Sequence, residues 1–386
     1  MSAPPIPPSP RRVLLVCHYY APHIGGIESV VQAEAERLTA LGHEVTVLTS
    51  ADRSSTRVEG GVRVVRVAAW NGLEHRAGVP FPLFSPRLLA QAIRLTRRTD
   101  IVHVHDCFYL SSWCAGIAAL LFRKPLVLSQ HVAMVQHPSA LVSAVQKTVY
   151  GTIGRLLLRR ARKVFVINEY VGRFVAGLGA QRHKTVVLSN GVDAEFYRPA
   201  ADPAERELLR KEYGLPLDRP LALFVGRLVP KKGIDIALAA RTSEFDLVVV
   251  GSGDAAMLDG VPGVHHLGSR PPRHVAEIFR ACDLFVLPTT GEIFPLVVKE
   301  AMSSALPVVT TDEPDYAALG VDRQGMALVS RDAAAVGAAV RRIVGDERAA
   351  ARMGEYSRSY ARAQFSWDEH LDLLRANYRA ALERSP

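Results

Sequence analysis

No stretch of this 386-residue chain approaches the roughly 20 apolar residues that a helix needs to cross a bilayer, so no transmembrane helix is predicted. The first ten residues, Met1 to Pro10, are rich in proline and have no apolar core. They read as a short disordered lead-in, not a secretory signal. Cysteine is scarce: Cys17, Cys107, Cys114 and Cys282 lie far apart with no Cys-x-x-Cys pair. That spacing argues against a disulfide framework or a zinc site and makes a reducing cytoplasm the expected compartment. The formal net charge is +9, but the arginines are scattered, with no RNA-binding signature and no aromatic-basic interleaving. Nucleic acid is therefore set aside as a partner. Phosphate-bearing small molecules and an anionic membrane surface remain.

Forty-eight per cent of the residues are hydrophobic and 22% charged, a soluble globular balance in a chain long enough for two domains. Short apolar runs that suit strands buried on both faces begin at Arg12 and recur at Glu44 to Thr49, Val62 to Val67, Ile101 to His105, Leu126 to Ser129 and Val164 to Ile167. Helical periodicity lies between them, over Ile27 to Leu41 (ended by Gly42), Pro86 to Arg97 and Leu141 to Arg162. The alternation then restarts with strands at Leu221 to Val225, Leu247 to Val250, Leu284 to Leu287 and Pro307 to Thr310, and a helix over Gly233 to Ala240. Two doubly wound parallel sheets in tandem are predicted, with ligands beyond the carboxyl ends of the strands. The stretch from Asn190 to Pro199 is the boundary between them.

Two segments carry the chemistry. Gly226 to Gly233 follows a buried strand and contains Arg227 and Lys232. A planar guanidinium fork and an ammonium point charge at a strand end suit a diphosphate, although a solvated loop would also look this way. Pro288 to Met302 follows the strand Leu284 to Leu287. Pro295 is placed to begin a helix, which would leave the amides of Leu296 and Val297 pointing at an anion. Glu292 precedes that helix and Glu300 falls in its second turn, so one carboxylate can hold sugar hydroxyls and the other ribose hydroxyls. His103, His105 and Asp106 invite a metal reading, since alternate strand residues share a face. No third ligand with suitable spacing is evident, which favours packing or cleft-lining roles.

Together these segments resemble the retaining GT-B glycosyltransferases of family GT4 from Arg12 to about Arg379, in collinear order. The resemblance rests on Gly25, Gly26 and Glu28, the strand after Gly42, Asp100 to His105, Asn190 to Asp193, the loop Gly226 to Gly233, and Glu292 with Glu300. It implies a GT-B fold of two Rossmann-like α/β domains facing across a cleft. Residues 1–195 would form the acceptor-side domain and 196–365 the nucleotide-sugar donor domain, with a C-terminal helix of about 366–386 returning to the first. Hinges are then expected near Asn190 to Pro199 and Gln364 to Asp368.

The same resemblance implies site roles. Arg227 and Lys232 would grip the donor diphosphate, Glu300 the ribose, and Glu292 the donor sugar. Gly26 would sit close to the donor phosphates, and His131 near the transferred sugar. The expected reaction is transfer of a hexose-type sugar from a UDP- or GDP-sugar to a hydroxyl of a saccharide, lipid-linked or metabolite acceptor. Retention would come from attack on the face that the diphosphate leaves, a phosphate oxygen taking the proton, with no essential metal and no other cofactor; the chain has no Asp-x-Asp. A GT-B nucleotide-sugar epimerase and an inactive nucleotide-sugar-binding scaffold are the alternatives. Pro295, Ala305 and the run Asp312 to Tyr316 depart from the glycines common at these places, which bears on the shape of the sugar pocket. The amphipathic, basic segment Leu141 to Lys163 reads either as a helix buried on one face or as a peripheral contact with the inner face of the membrane.

Overall fold

The computed structural model describes residues 12–23, 25–70, 72, 83–134, 139–292, 294–313, 316 and 319–383; the expected disordered lead-in lies outside them. The chain divides into two compact units, Met1–Asn190 with Asp368–Pro386, and Gly191–Trp367.

The first unit runs β1 (Arg12–Val16), α1 (Gly26–Ala40), β2 (Glu44–Ala51), β3 (Ser55–Glu59), β4 (Val62–Trp70), β5 (Leu83–Phe84), α2 (Arg87–Arg97), β6 (Ile101–His105), α3 (Leu110–Leu121) and β7 (Leu126–Gln130). It continues through α4 (Ala140–Val149), a π-helical turn (Tyr150–Gly154), α5 (Arg155–Arg160), β8 (Lys163–Val166), α6 (Glu169–Gly177) and β9 (Thr185–Val187). The second comprises α7 (Pro203–Glu212), β10 (Leu221–Val225), α8 (Ile234–Ala239), β11 (Asp246–Val250), β12 (Val264–Gly268), α9 (Pro272–Ala281), β13 (Leu284–Leu287), α10 (Leu296–Ser303), β14 (Val308–Thr311), β15 (Ala327–Val329), α11 (Ala333–Val344) and α12 (Glu347–Gln364). A last helix, α13 (Trp367–Glu383), belongs to the first unit from Asp368 onward.

In the first sheet the order is β3-β4-β2-β1-β6-β7-β8-β9, with β5 on β4. Among the described residues only β3 and β5 run antiparallel to their partner. The central strands β6 and β7 are buried along their length and β1 from Val13 onward, as a sheet covered on both faces requires. One face packs α1 and α13, where Leu38 meets a core containing Leu371, Leu374 and Tyr378. The other packs α2, α3 and α5 through Leu88, Leu95, Ala115 and Leu157. The second sheet is wholly parallel in the order β12-β11-β10-β13-β14-β15 around a core of its own. Helix starts follow side-chain chemistry: Asn168, Asp202, Asp332 and Asp346 each accept the N3 amide of α6, α7, α11 and α12.

Two helices expected to be continuous are not regular throughout. Between α4 and α5 the segment passes through the π turn, where Tyr150 is buried and a Cβ on Gly154 would stand 3.2 Å from the Cys107 sulfur. The stretch from Tyr360 to Ala381 breaks at Phe365, whose ring packs against Phe294 and Tyr360 and whose carbonyl accepts the Val192 amide at 2.8 Å. Those contacts hold Phe365 at φ −127°, off the helix.

Candidate functional site

The second sheet reverses its winding between β10 and β13: the chain steps outward through β11 and β12 on one side and through β14 and β15 on the other. Loops at the carboxyl ends of strands flanking such a reversal form a crevice. Those two loops are the predicted motifs, Gly226 to Gly233 after β10 and Pro288 to Pro295 after β13.

They are fastened to one another by specific contacts. The Thr290 amide donates to the Lys231 carbonyl at 3.1 Å. Arg331 donates from Nε to the Pro288 carbonyl at 3.0 Å and from its terminal nitrogen to the Pro230 carbonyl. Gly233 makes the closest approach: its φ is +77°, and a Cβ there would stand 2.2 Å from the Pro288 oxygen. Gly233→Ala therefore combines a disfavoured backbone with a collision. It should lower stability by about 1–3 kcal/mol, read as a drop in the urea midpoint at unchanged slope; an unchanged midpoint would contradict the close approach.

Lys232 and Glu292 meet in this crevice, Nζ to Oε2 at 2.5 Å. Lys231 Nζ lies 3.5 Å from Oε1, and the Thr289 hydroxyl is 3.0 Å from Oε2. Burial works to raise the Glu292 carboxyl, but Lys232 first and then Lys231 outweigh it and leave it below its ordinary value. Arg227 is exposed at the rim, with no ion pair or hydrogen bond to its guanidinium among the described residues.

Helix α10 starts one residue later than predicted, Pro295 being its N-cap. The Val298 and Lys299 amides both turn to the Pro295 carbonyl, at 2.9 and 3.3 Å. The Leu296 and Val297 amides have no acceptor among the described residues, which leaves the predicted pair of donors at a positive helix end. Glu300, one turn on, is half-buried, and its desolvation lifts the carboxyl to about 7 while a hydrogen bond from Tyr197 works to lower it. Tyr197 is fixed in turn by Ser303 Oγ on its carbonyl at 2.7 Å and by Arg358 at 3.3 Å. At the other end of α10, Ala305 takes φ +59°, where glycine would be unstrained. Of the run from Asp312, Pro314 and Asp315 lie outside the described residues, as does Ile293.

A hollow of about 500 Å³ lined by Arg219, Arg241 and Asp246 lies at the opposite, amino end of β11. Its arginines are already bonded to Asp246, Ser243 and Pro262, so it does not compete for the role of anion site.

In the first unit, Gly26 opens α1, and no described atom lies within 4 Å of where its Cβ would be. The space beside it is open to a ligand. His131 follows β7 and is buried, with Nε2 3.0 Å from His105 Nδ1. Burial, then the nearby His18 and His370, lower its imidazole to about 4, so it is neutral near pH 7. His103 and His105 do share a face, with rings 4.3 Å apart. Asp106 turns away from them to the Gln130 amide. The third group beside the two histidines is Glu34 of α1, one ligand atom of each lying within 4.8 Å of the others. His103 already spends both nitrogens on Tyr378 and Ser129, each at 2.7 Å.

Sequence reasoning brought together Lys232 with Glu292 and the two α10 amides, and placed Glu300 on the helix behind them. It missed Thr289, Arg331, Tyr197 and Glu34. Lys231 was visible beside Lys232, but nothing local marked the others, which reach their places only through the fold.

Two family descriptions match the chain: Glycosyltransferase Family 4 over residues 24–196 and Glycosyl transferases group 1 over residues 205–360. The D-inositol 3-phosphate glycosyltransferase of Xylanimonas cellulosilytica is 29% identical, covering 94% of this chain and 93% of that protein. That of Mycobacterium tuberculosis is 30% identical over 97% and 84%. The structure of Anabaena Alr3699/HepE in complex with UDP and glucose superposes with a TM-score of 0.75 at 19% identity, covering 96% and 100% of the two chains. Its likeness is one of fold. Two parallel α/β units, the motifs at the switch point of the second and these matches together make the chain a member of the family 4 glycosyltransferases, with the GT-B fold.

Proposed function

We propose that the protein is a retaining hexosyltransferase that takes its sugar from a nucleoside-diphosphate sugar and delivers it to a hydroxyl acceptor without an essential metal. The second unit is the donor domain and the first the acceptor-side domain. The observation that carries this reading is the crevice between β10 and β13, where Lys231 and Lys232 meet Glu292 on the loop that leads into the two unengaged amides of α10, with Arg227 exposed on the lysines' own loop. Such donors are suited to the charge that grows on a leaving diphosphate. Glu300 with Tyr197 is assigned to the ribose and Glu292 to the sugar; Gly26 is assigned to the donor phosphates and His131 to the transferred sugar. The acceptor attacks on the face the phosphate leaves, a phosphate oxygen taking the proton, so that retention needs no carboxylate nucleophile.

Calorimetry of the full chain against UDP, GDP and ADP, with and without their sugars, tests the reading. Micromolar binding of one nucleotide, lost in Arg227→Ala and Glu300→Ala, is expected. No binding by folded protein would favour the scaffold alternative. UDP-glucose belongs in the panel because the Anabaena neighbour was solved with UDP and glucose. A phosphorylated inositol belongs among the acceptors because of the relatives' name.

Among the described residues no helix is long and apolar enough to cross a membrane. We place the enzyme in the cytoplasm, with peripheral contact to anionic lipid. In support, α4 exposes Leu141 (74%) and Val145 (50%), next in sequence to the exposed basic residues Lys147, Arg155, Arg159 and Arg160. Co-sedimentation with phosphatidylserine vesicles at low salt, lost at high salt and in Leu141→Asp, is expected; no sedimentation at low salt would end this part of the reading.

A further inference from the structure

The first unit buries a column of ionisable side chains larger than packing needs. Glu34 of α1, His103 and His105 of β6, His131 after β7 and His370 of α13 are each at most 6% exposed. Burying such groups is unfavourable unless their donors and acceptors are matched. Matching them leaves one consistent arrangement of protons along His370, His105 and His131, while His103 lies between two hydroxyls, of Tyr378 and Ser129, that accept either tautomer.

The arrangement starts at His370. Its Nδ1 faces the Ser189 carbonyl at 2.9 Å, an acceptor only, so Nδ1 carries hydrogen. Its Nε2 lies 3.0 Å from Glu34 Oε1, and one proton lies between those two atoms, whichever of them holds it. In either state the other carboxyl oxygen, Oε2, is an acceptor. That oxygen has no hydrogen bond among the described residues, and it faces His105 Nε2, also without one, at 3.6 Å. The distance is longer than a hydrogen bond, but two bare lone pairs facing each other in a dry interior would repel. An N–H directed at the carboxyl oxygen would attract.

His105 therefore takes the Nε2–H form. Burial, followed by its histidine neighbours, holds it and His131 neutral, so each carries a single ring proton. The Nδ1 of His105 is then a lone pair, and the atom 3.0 Å away is His131 Nε2. His131 must donate there, which leaves its Nδ1 bare. That Nδ1 is buried and has no partner among the described residues. His131 also lines a cavity of about 10 Å³ together with Glu34, Ser129, Gln130, Asn190 and His370.

We infer that Glu34 is a positioning residue: acting through His105, it fixes His131 in the Nε2–H form and so reserves His131 Nδ1 as an acceptor for a ligand hydroxyl. The hydroxyl rests on the reading of His131 as part of the sugar site; the proton arrangement does not. A second-layer carboxylate setting which imidazole nitrogen faces a ligand is a recurrent use of histidine.

The test is a long-range proton–nitrogen spectrum of the full chain labelled with nitrogen-15 in histidine, with signals assigned by His105→Asn and His131→Asn. Wild type is expected to show protonated Nε2 and bare Nδ1 at both residues near pH 7. A proton on His131 Nδ1 overturns the proposal, and this readout needs no variant of Glu34 to fold. Glu34→Leu, with the fold checked by circular dichroism, should lose the single form and show averaged shifts at His131. A clean Nε2–H signal there would deny Glu34 its role. One equivalent of zinc per purified chain, bound through His105 Nε2, would also overturn the proposal. If the spectrum is as expected but no nucleotide sugar is turned over, the glycosyltransfer reading fails and the arrangement stands. If turnover is found, Glu34→Leu should lower kcat/KM by about tenfold with nucleotide affinity unchanged.

Discussion

Turnover with the preferred nucleotide sugar is expected to fall roughly 10²- to 10³-fold in Lys232→Ala, and comparably in Arg227→Ala, the range found when one preorganised donor to a developing anion is lost. The two variants should reach that loss by different routes. Lys232 sits 2.5 Å from Glu292, so its ammonium is placed before any diphosphate arrives and is shared between a carboxylate and the ligand. Removing it leaves Glu292 with Lys231 at 3.5 Å and Thr289 at 3.0 Å, a weaker cradle for the carboxylate assigned to the sugar. Both kcat and KM should therefore change, and the loss should not add to that of Glu292→Gln, because residues sharing one network couple. The Arg227 guanidinium is exposed and has no ion pair or hydrogen bond among the described residues, so its variant should keep wild-type stability and lose activity alone. The competing account is that Lys232 and Glu292 merely brace the loop. It requires Lys232→Ala and Glu292→Gln to lose similar stability while turning over at the wild-type rate, and steady-state kinetics beside a denaturant titration separates the two.

The parts of this site that were legible in the sequence are those where local chemistry and strand periodicity agree. Leu221 to Val225 and Leu284 to Leu287 are short, wholly apolar and followed at once by glycine or proline, and the structure gives both strands those limits. Lys232, Glu292 and the first turn of α10 stand at the ends of those strands, so the pattern that located the strands located them too. Pro295 was misplaced by one position because proline's φ fits both the N-cap and the first helical residue; its extended ψ of 149° decides for the cap. The breaks at Tyr150 to Gly154 and at Phe365 were not legible, since each is imposed by what the ring of Tyr150 or Phe365 packs against. Glu34 is the clearest omission. On α1 it falls in the stripe of Val30, Val31, Ala35 and Leu38, where a carboxylate would ordinarily be read as an interruption of the apolar face. Its partners His105 and His370 come from β6 and α13, and no spacing rule links those segments. A buried acid whose partners come from elements distant in sequence becomes visible only when the elements are folded together.

Nucleotide affinity should tighten as pH rises through about 7 and level off above it, with Glu300 as the group responsible. Burial lifts this carboxyl from 4.5 to about 7, against the Tyr197 hydrogen bond. Below 4.5 the group is protonated in both folded and unfolded chains. Between 4.5 and 7 the folded chain keeps a proton that the unfolded chain has lost, and above 7 both are ionised. In the unliganded protein this group therefore makes the fold progressively less stable from pH 4.5 to 7, the reverse of the usual carboxylate. Ribose hydroxyls donate, so they favour the ionised form and pull its pKa back down. Binding near pH 6.5 should then release part of a proton, measurable as a dependence of the calorimetric heat on buffer ionisation enthalpy, and affinity should change by at most about tenfold per pH unit. Lys299 is the necessary control. Burial lowers its ammonium to about 7 as well, and its Nζ lies 4.3 Å above the Phe365 ring, so it titrates in the same window. Glu300→Gln should weaken binding and flatten the pH dependence, whereas Lys299→Met should retain the slope. The opposite pattern, a slope kept by Glu300→Gln and lost in Lys299→Met, would remove Glu300 from the ribose site and leave Tyr197 as the polar group beside it.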